Sequence, residues 1–195
     1  QNQESIIKNQ ETLNYILYVG QAFPRRHLKE TMLAFEKIAP DFPQLKLIAI
    51  GYDKYRPPIV EKLKGEINQR LGQEAIVHKN YVSEEVLVEL YRNAKALIYI
   101  SSKEAFGLPP LEALAYGTMP IVADSPVTRE IFGLPPDGVA FFVQNPDNVN
   151  SIAETIKEAL IHENRRNEIL NMKDTILKRY TWPAHLDRFL DILRS

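Results

Sequence analysis

The run YILYVGQAFPRRHLKETMLAFEKIAPDFPQLKLIAI, residues 15–50, holds two short apolar strands with one amphipathic helix between them. Tyr15–Val19 reads as a strand ended by Gly20, and a loop with Pro24, Arg25 and Arg26 follows. A helix is predicted near Lys29–Ile38, with Met32, Leu33, Phe35 and Ile38 on its buried side, and Leu45–Ile50 is a second strand closed by Gly51. Strand, helix and strand joined by short loops form the unit of a parallel sheet, because parallel neighbours need a crossover between them.

The same alternation continues outward. Pro57 and Pro58 suit the start of a helix that runs to about Leu71, and Gly72 suits its stop. Ala75–His78 is a third strand. Ser83 offers an N-cap hydroxyl to the next helix, with Glu84 and Glu85 in its favourable first turn. Ala96–Ile100 is continuously apolar, as a strand covered on both faces should be. A short helix, Leu108–Tyr116, starts around Pro109 and Pro110 and stops at Gly117; Met119–Ala123 and Gly138–Val143 are the last strands. Asp147 or Asn148 caps a helix to Ile161, and another helix covers Glu163–Arg179. Thr181-Trp182-Pro183 opens a closing helix, about 182–194, with Leu186, Phe189, Leu190 and Leu193. The expected fold is α/β: a Rossmann-like parallel sheet of about six strands with helices on both faces. Residues 1–13 read as a linker and 14–195 as one domain.

Composition narrows the chemistry. The chain has 195 residues, 45% hydrophobic and 25% charged, with 24 Lys+Arg against 25 Asp+Glu and no cysteine. A net charge of −1 provides no basic footprint for nucleic acid. Thiol catalysis and Cys-ligated metal are excluded, and a reducing cytosol suits the composition. The stretch QNQESIIKNQE has no apolar centre of a secretory signal, and no run approaches the roughly 18 apolar residues of a membrane span.

Such sheets bind ligands beyond the carboxyl ends of their strands. That selects the loops Gly20–Leu28, Gly51–Pro58, Asn80–Ser83, Ser101–Leu108 and Asp124–Thr128. GQAFPRR after the first strand is not the three-glycine dinucleotide fingerprint, and the P-loop, nucleophile-elbow and HExxH patterns are absent. His27, His78, His162 and His185 are isolated from one another and read as surface or capping residues. No Asp-x-Asp pair follows a strand.

One loop concentrates the remaining signals: SSKEAFGLPPLE, residues 101–112. Gly107 permits close approach of the backbone, and helix-start N–H groups suit phosphate oxygens. Glu104 in the loop and Glu112, expected in the first turn of the helix, are pure acceptors suited to vicinal hydroxyls. Arg25 and Arg26 lie at the same sheet edge, where guanidinium forks could hold a diphosphate. The bland reading of each stays open: a helix-stabilising Glu112, a solvated Glu104, solvated arginines, and Phe106 as a core plug.

The run EAFGLPPLEALAYGTMPIVAD, residues 104–124, resembles the glutamate–seven–glutamate signature of retaining GT-B glycosyltransferases, the family 4 group in particular. YVGQAFPRRHLKETMLAFEKI resembles that family's phosphate-binding stretch. The likeness continues through LKLIAIG, HKNYVSEEVLVELYRNAKALIYIS, VTREIFG, GVAFFVQNPD and WPAHLDRFL. Gln21 and Ala105 depart from it, standing where arginine and glycine are commoner.

The resemblance implies the donor-binding, C-terminal half of a hexosyltransferase using a nucleoside diphosphate sugar, UDP-hexose first and GDP-mannose next. Arg25, Arg26 and Gly20 would meet the diphosphate. Glu104 with the backbone of Phe106, Gly107 and Leu108 would hold the sugar and its phosphate. Glu112 would bind ribose, and Tyr81 and Val82 would frame the base. No cofactor or metal is expected, because arginines and helix N–H groups would carry the leaving charge. An acceptor domain is expected before residue 1, so this chain alone should transfer little. The implied setting is surface polysaccharide synthesis, in the cytoplasm or at the inner membrane face. Two competing classes remain: a non-catalytic nucleotide-binding regulatory module, and a phosphorylase-like sugar-phosphate enzyme.

Overall fold

A computed structural model describes residues 14–133 and 138–181. Six parallel strands form one sheet: β1 Tyr15–Val19, β2 Lys46–Ile50, β3 Ile76–Lys79, β4 Leu97–Tyr99, β5 Pro120–Ala123 and β6 Phe141–Val143. Their order is β3-β2-β1-β4-β5-β6. The chain therefore winds one way from β1 to β3 and returns to continue from β4, which puts the switch point between β1 and β4. The two loops richest in candidate residues follow those two strands.

Eight helices cover the sheet among the described residues: α1 Leu28–Ile38, α2 Val60–Leu71, α3 Glu84–Asn93, α4 Leu108–Ala115, α5 Pro126–Phe132, α6 Val149–Ile161, α7 Glu163–Asn171 and α8 Lys173–Leu177. Successive strand residues point to opposite faces, and both faces of β1 are buried. Ile16 and Tyr18 join a core with Met32, Phe35 and Ile38 of α1, Ile67 of α2 and Ile152 and Ile156 of α6. Tyr15 and Leu17 join a second core with Val86, Leu90 and Tyr91 of α3. α4 belongs to both, giving Leu111 and Leu114 to the first and Ala113 to the second.

Local chemistry sets the boundaries, and in several places moves them. Pro57 and Pro58 precede α2 without starting it; the Asp53 carboxylate does that, accepting from the N–H groups of Ile59 and Val60 at 2.7 and 2.8 Å. Ser83 caps α3 as expected. Asn148 caps α6, accepting from the N–H groups of Asn150 and Ser151. Pro126–Phe132 is a helix, although the sequence reading puts its first three residues at the end of the Asp124–Thr128 loop and assigns the rest to no element. Pro126 stands at its first position, and Ser125 and Thr128 form a reciprocal capping box. The helix expected over Glu163–Arg179 breaks at Met172 into α7 and α8, then tightens into a 3₁₀ turn over Lys178–Tyr180. The linker at 1–13 and the closing helix at 182–194 lie outside the described residues. Among the described residues, no helix is long and apolar enough to cross a membrane.

Candidate functional site at the carboxyl edge of β1 and β4

Two glycines open the site. Gly20 ends β1 with φ +137°, and Gly51 ends β2 with φ +142°. A Cβ on Gly51 would fall 2.0 Å from the Gly20 carbonyl oxygen, so this backbone crossing requires glycine. A Cβ on Gly20 would fall 2.5 Å from a terminal nitrogen of Arg26, so the tip of the guanidinium abuts the bare glycine and needs it to stay bare.

Pro24–Arg26 form a 3₁₀ turn, and His27 adopts a left-handed conformation (φ +50°) before α1 begins. The Arg25 carbonyl accepts from the N–H of Ser102 at 2.9 Å and from its hydroxyl at 3.3 Å. The β1–α1 and β4–α4 loops are thus tied together at the backbone. The exposed Arg25 side chain lies over the Phe23 ring, 4.4 Å from its centroid, with no ion pair among the described residues.

Arg26 and Glu104 meet across the two loops. Arg26 Nε donates to Glu104 Oε1 at 2.8 Å, with the two side chains 19% and 17% exposed. Ser101 Oγ donates to the same oxygen at 3.0 Å. The guanidinium also stands over the Tyr99 ring at 5.5 Å. Burial alone would push the Glu104 pKa up, but Arg26 and the Ser101 and Tyr99 hydroxyls outweigh it and hold the carboxyl below its ordinary value. Burial opposes charge on Arg26 too, yet Glu104 leaves its pKa raised. The Tyr99 phenol is pushed up to about 12, first by burial. Both Nη groups of Arg26 lack an acceptor among the described residues.

The β4–α4 loop closes over this pair. Gly107 caps α4 at φ +87°, and its missing Cβ would sit 3.2 Å from the Tyr99 ring. Phe106 is half-buried, edge-on to Tyr180 with centroids 5.3 Å apart, while Leu108 is exposed. Pro109 and Pro110 follow Leu108 at the second and third helix positions and have no N–H. The donors at this helix start reduce to Gly107, Leu108 and the loop before them.

Glu112 stands in the second turn of α4, not the first, and is solvent-exposed. Tyr91 Oη of α3 donates to its Oε2 at 2.8 Å. The structure therefore assigns the two glutamates separate partners, Arg26 with Ser101 for Glu104 and Tyr91 for Glu112. Tyr81 projects into solvent at 66% exposure, whereas the Val82 side chain is buried in the α3-side core. At that position only backbone groups could meet a ligand. Of the histidines read as surface or capping residues, His27 stands at the N-cap of α1 but is buried and makes no side-chain cap bond, and His78 is buried, its ring bridging the Glu61 carboxylate at 2.6 Å and the Gly51 carbonyl at 2.7 Å. Among the described residues, no cluster of three or more acidic or histidine side chains is placed to hold a metal ion.

Tyr91, Tyr99 and Ser101 are the site residues that sequence reasoning missed. Ser101 carried a readable signal, since it sits where β4 ends and three residues before Glu104. The two tyrosines look like ordinary apolar-face residues until the folded neighbours are known.

The profile of the glycosyl transferases group 1 family matches residues 1–173. The chain is 31% identical over 156 residues to O-antigen chain mannosyltransferase RfbU of Salmonella typhimurium, covering 80% of this chain and 41% of that protein. It is 25% identical over 179 residues to GDP-mannose:cellobiosyl-diphosphopolyprenol alpha-mannosyltransferase of Xanthomonas oryzae pv. oryzae, covering 90% of this chain and 45% of that one. In three dimensions it superposes on a UDP-forming α,α-trehalose-phosphate synthase from Burkholderia xenovorans with a TM-score of 0.81 at 19% identity, covering 98% of this chain and 46% of that chain. The chain thus spans less than half the length of each. It belongs to the glycosyl transferases group 1.

Proposed function

We propose that this chain is the donor-binding, C-terminal half of a retaining family 4 hexosyltransferase, taking a nucleoside diphosphate sugar at the carboxyl edge of β1 and β4. The observation that carries the reading is Arg26: a mostly buried guanidinium, held at Nε by Glu104, with one Nη tip against the bare Gly20 and both Nη groups without an acceptor among the described residues. A fixed guanidinium with spare donors beside a bare glycine suits diphosphate oxygens. Arg25 adds a second positive charge. The N–H groups of Phe106, Gly107 and Leu108 would meet the phosphate bearing the sugar, Glu104 would accept from the sugar hydroxyls, and Glu112 from the ribose. Tyr81 and the Val82 backbone would frame the base.

Catalysis on this reading is electrostatic. Charge that develops on the leaving diphosphate meets donors already oriented, so little reorganisation accompanies bond cleavage. The expectation is that no metal ion takes part. An oxygen of the leaving phosphate would assist deprotonation of the acceptor on the same face, which retains the anomeric configuration.

GDP-mannose is placed first as donor and UDP-hexose second, reversing the order that motifs alone suggest. Support comes from the mannosyltransferase names of the relatives above, and the acceptor is proposed to be a growing surface polysaccharide or its lipid-linked precursor. The acceptor site is assigned to a partner domain, because the chain spans under half of those proteins. Calorimetric titration with GDP, UDP, GDP-mannose, UDP-glucose and inorganic phosphate tests the reading. It predicts binding of a nucleoside diphosphate, weakened by Glu112→Ala; Glu104→Ala should chiefly weaken the sugar-bearing ligand. Binding of phosphate alone would favour a phosphorylase-like enzyme, and binding of none would refute the assignment.

A further inference from the structure

Tyr91 occupies an unusual position for a buried tyrosine. It is 2% exposed on α3, and its ring stacks on Tyr116 with centroids 5.9 Å apart and 12° between planes. Its backbone carbonyl accepts from the buried Thr118 hydroxyl. Glu112 and Tyr116 are four residues apart on α4 and its C-cap, so they share a helix face and Tyr91 spans both. The phenol is thereby held at ring, backbone and hydroxyl. Burial, and next the Glu112 carboxylate, push its pKa up, so the oxygen stays a proton donor. A packing role alone would be met by phenylalanine, which brings no polar atom into the core.

We propose that Tyr91 is a positioning residue for ribose recognition, its hydroxyl fixing one oxygen of the exposed Glu112 carboxylate so that the other is presented to a vicinal diol. Glu112 Oε1 has no partner among the described residues, while Oε2 receives the 2.8 Å bond. An unrestrained glutamate on a helix surface samples several rotamers, and ordering it against a ligand carries an entropic cost. The Tyr91 bond removes that cost in advance, so affinity and the preference for ribose both depend on a residue that need not touch the nucleotide. The inference rests on the reading of Glu112 as the ribose-binding residue.

The test compares GDP and UDP with their 2′,3′-dideoxy counterparts, by titration of the 195-residue chain and its Tyr91→Phe, Glu112→Gln and double variants. Tyr91→Phe keeps the ring and is expected to weaken the ribonucleotide roughly tenfold, a usual scale for losing a hydrogen bond to a charged group. The dideoxy ligand should change less than about twofold, and the substitution should add nothing in the Glu112→Gln background. The melting temperature of each variant confirms that it is folded. Equal weakening of both ligands by Tyr91→Phe, or no weakening of either, would overturn the inference even if Glu112→Gln abolishes the preference for ribose. An unchanged preference in Glu112→Gln, or no binding to the unaltered chain, would instead overturn the ribose reading and the inference with it. Glu112→Asp withdraws the carboxylate from Tyr91 without touching the core. It should also lose the preference, and retention would count against the proposal.

Discussion

Arg26 and Glu104 are 78 positions apart and meet at 2.8 Å. Each offsets the cost of burying the other, which lets a charged pair sit mostly out of solvent between the β1–α1 and β4–α4 loops. Titration follows from this. The Glu104 carboxyl lies below its ordinary value in the fold, so its contribution is full above that value and fades as pH falls through the folded one. Glu104→Gln should therefore lose less stability than the unaltered chain between about pH 5 and 3, read as melting temperature against pH. An identical acid limb in both proteins would show that the pair adds no stability. Gly51 sets a harder limit. With φ +142° and a carbonyl 2.0 Å from any Cβ, Gly51→Ala should destabilise the chain by about 2–3 kcal/mol in chemical denaturation. At this scale the sequence was legible in part. Glycines before basic residues, and glutamates around Gly107, marked the loops. The Arg26–Glu104 pairing, the division of the glutamates between Arg26 and Tyr91, and the inward turn of Val82 all depend on contacts between distant segments, which residue type alone does not display.

Elements were easier to read where they are long and continuously apolar. All six strands were visible because parallel strands buried on both faces need unbroken runs such as Ala96–Ile100. Helix starts were less legible, because prolines and side-chain caps compete for the role. At α2 the prolines lie outside the helix, and Asp53 satisfies the N–H groups of Tyr55, Ile59 and Val60. Asp53→Ala should cost about 1–2 kcal/mol, measured by urea unfolding. The loss should exceed that of an exposed change such as Glu66→Ala. At α5 the signal was present and unread: Ser125-Pro126-Val127-Thr128 places a capping residue, a proline at the first position and a reciprocal hydroxyl at the third position of a seven-residue helix. Its brevity hid its period. The break at Met172 has no sequence marker, since neither glycine nor proline stands there.

For the whole molecule, the alternation of strand and helix indicated a parallel sheet but not its order. Order β3-β2-β1-β4-β5-β6 is a tertiary result, and it alone brings the loops after β1 and β4 side by side. Membership of the glycosyl transferases group 1, in a chain that spans under half the length of the relatives it matches, makes one further outcome specific. Supplied with GDP-mannose and a lipid-linked glycan acceptor, the 195-residue chain should bind the donor and transfer little or no sugar. Robust transfer, followed by radiolabelled product, would contradict the division of labour proposed above. The central claim concerns place. A titration of the ¹⁵N-labelled chain with GDP-mannose, followed amide by amide, tests it most directly. The account predicts shifts concentrated at Gly20, Arg25, Arg26 and the 104–108 loop, with smaller changes around Glu112 and Tyr81. Shifts confined instead to the crevice lined by Phe142, Glu154, Glu158 and Glu168, beside β6 and α6, would contradict it.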